Sequence, residues 1–408
     1  MAATPTPGSA GAAAGTLDPS FGSAGVVVAP NSVRSVITAT PGGGFVIAYD
    51  APYGTSDYPG WVIRRYTADG DPRRGFGDGG KVRVAGSDEG DNDVREVRID
   101  DRGRILLAGN HYAGPGTASA RMVRLLEDGR RDGSFGGRGI VHVDVEPFMS
   151  EYVAGMVIQP SGRIVVGGSY RIGPQPRDTA VYLAGLTRAG ELDPTFGDSG
   201  IKRTRLGKRS HINDLEMTPT GRPVGAGFVK RGDQLAVARW RVNGSLDRSF
   251  GDRGVVRTTI GAVAFATRVA VAPDGAIIEG ASRPENDAGP ALLRLRVDGS
   301  IDLSFGDGGV ADLGGELFGS VEALTVQPDG KSIAAHETSS SDDDILLTRL
   351  DVNGLPDPSF GTDGVATIDL GEDDRVWSTA LDRAGRLLVT AEASPRHVRR
   401  AVVLRVLT

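Results

Sequence analysis

Short runs of apolar and β-branched residues recur along the whole chain, and each run is bounded by Gly, Pro, Asp or Asn. In one representative stretch the runs fall at 309–313, 321–327, 331–335 and 345–350. Runs of this length between turn-forming residues are typical of short β-strands joined by tight turns. The sequence shows no helical periodicity, and we therefore predict an all-β protein.

A group of four such strands repeats along the chain, and each repeat carries a Phe-Gly pair. The pairs are 54 to 61 residues apart and begin at Phe21, Phe76, Phe135, Phe196, Phe250, Phe305 and Phe360. One unit of this size cannot bury a core of its own, so successive units must stack. Seven four-stranded units predict a seven-bladed β-propeller in which each blade is an antiparallel sheet.

The two ends of the chain predict how the ring of blades closes. The last run, at 401–408, matches the third strand of a unit, whereas residues 25–28 supply a fourth strand without a unit of its own. We therefore expect the N-terminal strand to complete the last blade, which leaves no open sheet edge. Residues 1–15 are rich in Ala, Gly, Pro, Ser and Thr, and we predict a flexible leader followed by a single propeller domain over 16–408.

The repeat has a characteristic form. Residues 243–251 read Asn-Gly-Ser-Leu-Asp-Arg-Ser-Phe-Gly, and Gly162, Gly275 and Gly330 each occupy the turn between the first two strands of a unit. In these features the chain resembles the delta-60 repeat family over residues 16–408. The resemblance implies a propeller fold and a secreted or cell-surface bacterial protein, and it implies no common activity.

Composition and charge exclude several classes of function. The 46 Lys and Arg residues against 52 Asp and Glu residues give a net charge of −6, without the basic footprint of a nucleic-acid partner. The lack of Cys excludes disulfides, thiolate catalysis and zinc–thiolate sites. No uninterrupted apolar stretch of about 18 residues occurs, so we predict no membrane insertion. We expect a monomer, and we expect any signal peptide to have been removed or replaced.

Comparison of the units separates residues that build a blade from residues that occur once. We label the strands of each unit A to D, with D following Phe-Gly. The Phe, an Asp three residues before it and a recurrent Arg are predicted to be structural, the Arg residues being Arg65, Arg124, Arg239, Arg294 and Arg349. The A–B and C–D turns share one rim, the constant rim, and the D–A and B–C loops share the variable rim, where sites usually lie.

The variable rim carries an aromatic sector in the first three units, with longer loops at 49–61, 110–120 and 170–180. Aromatic rings in such loops stack on sugar faces or grip peptides, and packing of the loops themselves is the alternative. Arg95, Asn213 and Trp377 stand eight positions before the A–B turn Gly, near the mouth of innermost strand A. The predicted ligand-binding residues are Tyr49, Tyr53, Tyr58, Trp61, Arg95, His111, Tyr112, Tyr170, Asn213 and Trp377.

The opposite sector of this rim is acidic. Asp50, Glu337 and Glu392 occupy one repeat position at the end of strand B, in units that are adjacent in a closed ring. His336 precedes one of them, and Glu322 lies near the mouth of strand A. Carboxylates that converge with a His can act as general acid and base, because mutual repulsion raises one pKa. Calcium coordination and a solvated acidic rim are the two alternatives.

Two functions follow from these observations. The first is a non-catalytic extracellular module that presents the variable rim to a glycan or protein ligand. The alternative is a glycoside hydrolase or polysaccharide lyase, which requires its catalytic side chains to converge within roughly 10 Å around one pocket. Its predicted catalytic residues are Glu337, Glu392, Asp50, His336 and Glu322. We predict no cofactor and no metal, with calcium left open, and Glu279 in its apolar strand fits neither function.

Overall fold

The computed structural model describes residues 13–29, 34–51, 60–85, 92–114, 117–146, 150–173, 178–229, 234–260, 265–283, 289–314, 319–338, 343–371, 373–393 and 400–408. Within these ranges all regular secondary structure is β-strand, and the strands form seven four-stranded antiparallel sheets arranged in a ring. The predicted all-β, seven-bladed β-propeller is therefore confirmed. The same described residues contain no helix with the length and apolar character needed to cross a membrane.

Each blade runs outward from strand A to strand D. The first strand, β1 (Val26–Ala29), precedes the first complete blade. Blade 1 consists of β2 (Ser35–Ala39), β3 (Phe45–Asp50), β4 (Gly60–Tyr66) and β5 (Lys81–Ala85). Blade 2 consists of β6 (Asn92–Ile99), β7 (Ile105–Gly114), β8 (Thr117–Leu125) and β9 (Ile140–Val143). Blade 3 consists of β10 (Glu151–Ile158), β11 (Ile164–Arg171), β12 (Thr179–Leu186) and β13 (Ile201–Thr204).

The remaining blades follow the same order. Blade 4 consists of β14 (His211–Met217), β15 (Pro223–Val229), β16 (Gln234–Arg239) and β17 (Val255–Thr258). Blade 5 consists of β18 (Phe265–Val271), β19 (Ile277–Ser282), β20 (Ala291–Leu295) and β21 (Val310–Asp312). Blade 6 consists of β22 (Ala323–Val326), β23 (Ser332–Glu337), β24 (Ile345–Leu350) and β25 (Val365–Ile368). Blade 7 has β26 (Arg375–Leu381), β27 (Leu387–Ala393) and β28 (Arg400–Val406) from the C-terminal end of the chain.

The N-terminal strand closes the ring, as predicted. β1 pairs antiparallel with β28, with Val26 opposite Leu404 and Ala29 opposite Ala401, and it takes the outer position in blade 7. Just upstream, the Gly15 N–H donates to the carbonyl of Leu407 at 2.8 Å. The blade built from both ends of the chain therefore has the same four strands as every other. Of the predicted flexible leader, residues 1–12 lie outside the described residues.

The Phe of each Phe-Gly pair is buried between blades. All seven rings are at most 1% exposed, and each belongs to an apolar cluster that joins strands of two neighbouring blades. The following blade packs a turn glycine on the ring: Gly244, at φ +83°, would place a Cβ atom 2.8 Å from Phe196. The Gly197 N–H then donates to the carbonyl of Asn243 at 2.8 Å, which adds a backbone bond between the blades. Only glycine meets both the left-handed backbone and the close contact.

The recurrent Arg and Asp hold this Phe from the other side. In blade 4, Arg239 Nε donates to Asp247 Oδ2 at 2.9 Å, and its guanidinium lies 4.5 Å from the centre of the Phe250 ring. The same three side chains meet in other blades, as Arg124–Asp132–Phe135, Arg349–Asp357–Phe360 and Arg405–Asp18–Phe21. The predicted structural role of this set is confirmed by its burial and pairing.

Candidate functional site

The inner strands of the seven blades surround a central channel with a cavity of about 510 Å³. β-Bulges in several of these strands select the side chains that line it. The register shifts around Arg95 in β6, Asn213 in β14 and Trp377 in β26, and all three residues line the cavity. A bulge adds one residue to a strand and re-aims a side chain. The three residues predicted to lie near the mouth of strand A therefore do meet at one channel.

Charged side chains surround the mouth of the channel at the variable rim. Arg95 pairs with Asp93 at 2.5 Å, and Arg34 approaches the other oxygen of the same carboxylate at 3.7 Å. The Arg34 guanidinium also lies 5.2 Å from the centre of the Trp377 ring. On the far side of the mouth, Arg268 is 3.7 Å from Glu322, which places this predicted residue beside the lining. Arg34 and Asp93 were not predicted, because they lie just outside the repeat position that we compared.

A second charged group lies deeper in the channel. Arg98 pairs with Glu216 at 2.5 Å and with Glu96 at 3.3 Å, so that it bridges blades 2 and 4. Burial raises the pKa of Glu96 to about 7, the Arg98 guanidinium lowers it, and the carboxylates of Glu216 and Asp214 add to the increase. Sequence comparison missed this group, although charged residues within innermost strands were a signal that could have revealed it.

The acidic sector has a different arrangement from the one predicted. Asp50 Oδ1 accepts the N–H of Val94 at 2.9 Å, and Glu337 Oε1 accepts the N–H of Val376 at 2.8 Å. Both donors stand immediately before the bulge in the inner strand of the next blade. Asn110 and Ser169, at the same repeat position, accept the corresponding N–H groups of blades 3 and 4. In blades 1, 2, 3 and 6 this position therefore ties strand B to strand A of the next blade.

Four of the five predicted catalytic residues do not line the channel, and Glu322 lies beside its lining. Among the described residues that line it, none is Asp50, Glu337, Glu392 or His336. Burial raises the pKa of Asp50 and of Glu337 to about 7, but each carboxylate is engaged by a different blade. Glu392 is buried. His336 is also buried, with Nε2 3.0 Å from Thr348 Oγ1, and burial lowers the pKa of its imidazole to about 4.

Two of the aromatic residues predicted to bind a ligand are buried in the core and do not lie on the surface of the rim. Trp61 is fully buried in the cluster between blades 1 and 2, with the Arg121 guanidinium 5.3 Å from its ring centre. Tyr49 is buried in the cluster between blades 7 and 1, and its hydroxyl accepts from Arg64 Nε at 2.9 Å. Both rings are covered by the protein and present no face to a ligand.

The other members of the aromatic sector have varied surroundings. Tyr170 is buried, with its ring centre 6.4 Å from that of Tyr182. His111 and Tyr112 are half-buried, and the His111 ring lies 4.8 Å from that of His142. Tyr53 and Tyr58 lie outside the described residues. Of the described residues in this sector, Tyr49, Trp61 and Tyr170 therefore pack inside the blades, whereas ligand binding by His111 and Tyr112 stays a prediction.

Three acidic residues meet at the variable rim between blades 6 and 7. One carboxylate oxygen from each of Asp344, Asp369 and Asp374 lies within 4.8 Å of the others, a spacing that could hold a metal ion. Asp374 is buried and accepts the N–H of Leu370 at 2.5 Å. Carboxylate oxygens are the ligands that Ca²⁺ takes in proteins. Calcium binding stays a prediction, and the residues that offer it differ from the predicted acidic sector.

Comparison with known proteins supports the fold. The family model described as "Domain of unknown function (DUF5122) beta-propeller" matches residues 159–196, which span the A–B turn, strands B and C and the C–D turn of blade 3. No curated protein sequence matches the chain. The membership of the delta-60 repeat family stays a prediction, since the match covers only part of one blade.

Several solved structures superpose on most of the chain at low identity. Sqt1 from Chaetomium thermophilum is 11% identical, with a TM-score of 0.51 over 94% of this chain and 98% of that chain. A protein of unknown function from Dyadobacter fermentans DSM 18053 is 13% identical, with a TM-score of 0.48 over 95% and 100%. The NanB sialidase from Streptococcus pneumoniae is 10% identical, with a TM-score of 0.42 over 96% and 70%. At this level of identity the likeness to Sqt1 shows the propeller fold alone.

Proposed function

We propose that this chain is an extracellular, non-catalytic binding module that receives a glycan or protein ligand at the variable-rim mouth of the central channel. The observation that carries the proposal is the group of Arg34, Arg95, Asn213 and Trp377 in the lining of that mouth. Binding sites use planar and charged side chains of these types to fix the orientation of a ligand. The extracellular assignment rests on the resemblance to the delta-60 repeat family.

The rigidity of the frame supports this proposal. Arg95, Asn213 and Trp377 stand on inner strands that pair with β7, β15 and β27, so their backbones are fixed by sheet hydrogen bonds. In each of these blades the Arg of a buried Arg–Asp–Phe set donates to a backbone carbonyl of the next blade. Side chains held on such a frame lose little freedom when a ligand binds, which favours affinity.

A carbohydrate-active enzyme is the second candidate, and one observation favours it. In the channel, Glu96 has a pKa raised to about 7, whereas the neighbouring Glu216 is paired with Arg98 at 2.5 Å. A carboxyl group with a raised pKa beside a second carboxyl group is the arrangement of a general acid and its partner. We rank this candidate second because both carboxylates share one Arg, which holds them in place between the blades.

A glycan array combined with a polysaccharide-hydrolysis screen tests the two candidates. We expect the wild-type protein to bind a subset of glycans without releasing reducing ends, and Arg95→Gln to weaken that binding. The matched control is Arg296→Gln, an exposed Arg on the constant rim that pairs with Asp302 at 3.2 Å. We expect this variant to bind like the wild type, because its charge lies on the other rim.

Two outcomes would overturn the proposal. Equal binding by Arg95→Gln and the wild type would remove the channel mouth as the site. Hydrolysis by the wild type that disappears in Glu96→Gln would favour the enzyme. Thermal melting of each variant checks that a lost signal reflects the site and not unfolding.

A further inference from the structure

Three buried polar groups at the channel mouth have no hydrogen-bond partner among the described residues. They are Ser35 Oγ, Arg95 Nε and Trp377 Nε1, and all three residues line the cavity. Each stands eight positions before the A–B turn Gly of its unit, in blades 1, 2 and 7. Because these blades are neighbours in the closed ring, the three groups form one sector of the mouth.

On the other side of the ring, side chains at the same repeat position do have hydrogen-bond partners. In blade 4, Asn213 Nδ2 donates to the carbonyl of Ala266 at 2.6 Å, and in blade 5, Thr267 Oγ1 donates to the carbonyl of Gly280 at 3.2 Å. A buried donor that lacks an acceptor costs free energy, and native structures leave few of them. The contrast between the two sides indicates that an acceptor from outside the chain completes the sector of blades 7, 1 and 2.

The charges of this sector favour an anionic acceptor. The guanidinium groups of Arg34 and Arg95 both face the carboxylate of Asp93, at 3.7 and 2.5 Å. A second acidic group among the described residues of this sector is Asp50, which accepts the N–H of Val94. Burial raises the pKa of Asp50 to about 7, so this carboxyl balances the second Arg only in part near neutral pH. The carboxylate of a ligand would balance the positive charge of the second Arg and would accept hydrogen bonds from the unpaired donors.

We infer that the sector of Ser35, Arg95 and Trp377, together with Arg34, binds the carboxylate of an acidic sugar, a uronic acid. The inference rests on the proposed function and specifies the ligand of that site. A uronic acid carries its carboxylate directly on a pyranose ring, so one residue can reach the donors while its ring contacts the half-buried indole of Trp377. The cavity of about 510 Å³ has room for such a residue at its mouth.

Calorimetric titration with galacturonate oligosaccharides tests the inference, with the methyl-esterified oligosaccharides as the uncharged probe. Trp377→Phe removes the Nε1 donor and keeps an aromatic ring, and Arg95→Lys keeps the charge but removes the planar fork of donors. We expect each variant to bind the acidic oligosaccharide about tenfold more weakly or worse, and we expect the esters to lose as much with the wild type. Arg296→Lys is the control, because Arg296 is exposed on the constant rim, where it pairs with Asp302, and the affinity of this variant should match that of the wild type.

The outcomes separate this inference from the proposed function. If galacturonate does not bind, but another glycan binds and Arg95→Gln weakens its binding, the uronic acid is wrong and the binding module stands. If acidic peptides bind through Arg95 and Trp377 and acidic sugars do not, the inference is also overturned. Galacturonate binding that is unchanged in both Trp377→Phe and Arg95→Lys would overturn it too. Ser35→Ala is a further test in the same titration, since it removes one polar group at little risk to folding. We expect this variant to bind the acidic oligosaccharide more weakly than the wild type.

Discussion

Both the constant rim and the variable rim join one blade to the next, but they do so through different contacts. On the constant rim the same three side chains do it repeatedly, as in Arg239–Asp247–Phe250, where Arg239 also donates to the Val297 carbonyl of the next blade. On the variable rim the acceptor that receives a backbone N–H of the next blade changes from blade to blade. It is Asp50, Asn110, Ser169 or Glu337.

The difference reflects what each contact demands. A guanidinium that must pair with a carboxylate and cover a Phe ring at once can be provided only by Arg, because no other cation is planar and forked. A backbone N–H needs only an oxygen acceptor, and Asp, Asn, Ser and Glu all offer one. Variation at a repeat position is therefore compatible with one constant structural role, and the acidic sector is an example.

The largest effect is expected on the constant rim. Asp247→Ala leaves the buried guanidinium of Arg239 without its partner, and we expect the free energy of unfolding to fall by about 3–5 kcal/mol. Urea denaturation measures the change. Asp252→Ala is the control, because Asp252 is an exposed residue in the same turn, 3.9 Å from Arg257, and should change stability little. Equal losses in the two variants would contradict the comparison of the rims.

Glu279 differs from the acceptors on both rims, because no donor among the described residues forms a hydrogen bond to its carboxyl group. It is fully buried in β19, and neither carboxylate oxygen has a partner among the described residues. Burial raises its pKa from 4.5 to about 8. Between these values the unfolded chain releases the proton and the folded chain retains it, so stability falls as pH rises, by at most about 1.4 kcal/mol per pH unit.

Replacement of this residue should remove that dependence. We expect Glu279→Leu to be more stable than the wild type, with a difference that grows from weakly acidic to weakly alkaline pH. Urea denaturation across this pH range measures it. Glu337→Gln is a useful comparison, because the Gln oxygen can still accept the N–H of Val376. If the difference in the free energy of unfolding between the wild type and Glu279→Leu stayed constant across this range, Glu279 would not be buried as an unpaired carboxyl.

The smallest effect is expected at the variable rim. Asp50→Ala leaves the N–H of Val94 without its acceptor, and we expect a loss of about 1–3 kcal/mol. Asp50→Asn keeps an acceptor, as Asn110 does one blade later, and should lose little. Because burial raises the pKa of Asp50 to about 7, the Asn variant should gain on the wild type as pH rises from about 4 to 7. A loss in Asp50→Asn as large as in Asp50→Ala would show that the charge matters.

The sequence by itself determined the architecture of this protein. Seven repeats with turn glycines and a Phe-Gly pair predicted the blades, and the unmatched strand at 25–28 predicted the closure by β1. These features could be predicted because a turn or a strand depends on residues that are close in the chain. Arg95, Asn213 and Trp377 were also found, because repeat position places them at the start of an inner strand.

Only the tertiary structure decided what the variable residues contact. Asp50 and Val94 are 44 positions apart, and Glu337 and Val376 are 39 positions apart, in different blades. Their contacts depend on β-bulges, which shift the register of the inner strands and which no repeat position revealed. The same shifts bring Arg95 and Trp377 to one mouth, where Arg34 lies against the Trp377 ring. Some residues of the candidate site can therefore be predicted from the sequence. Their contacts cannot, because they form only when the blades pack into a closed ring.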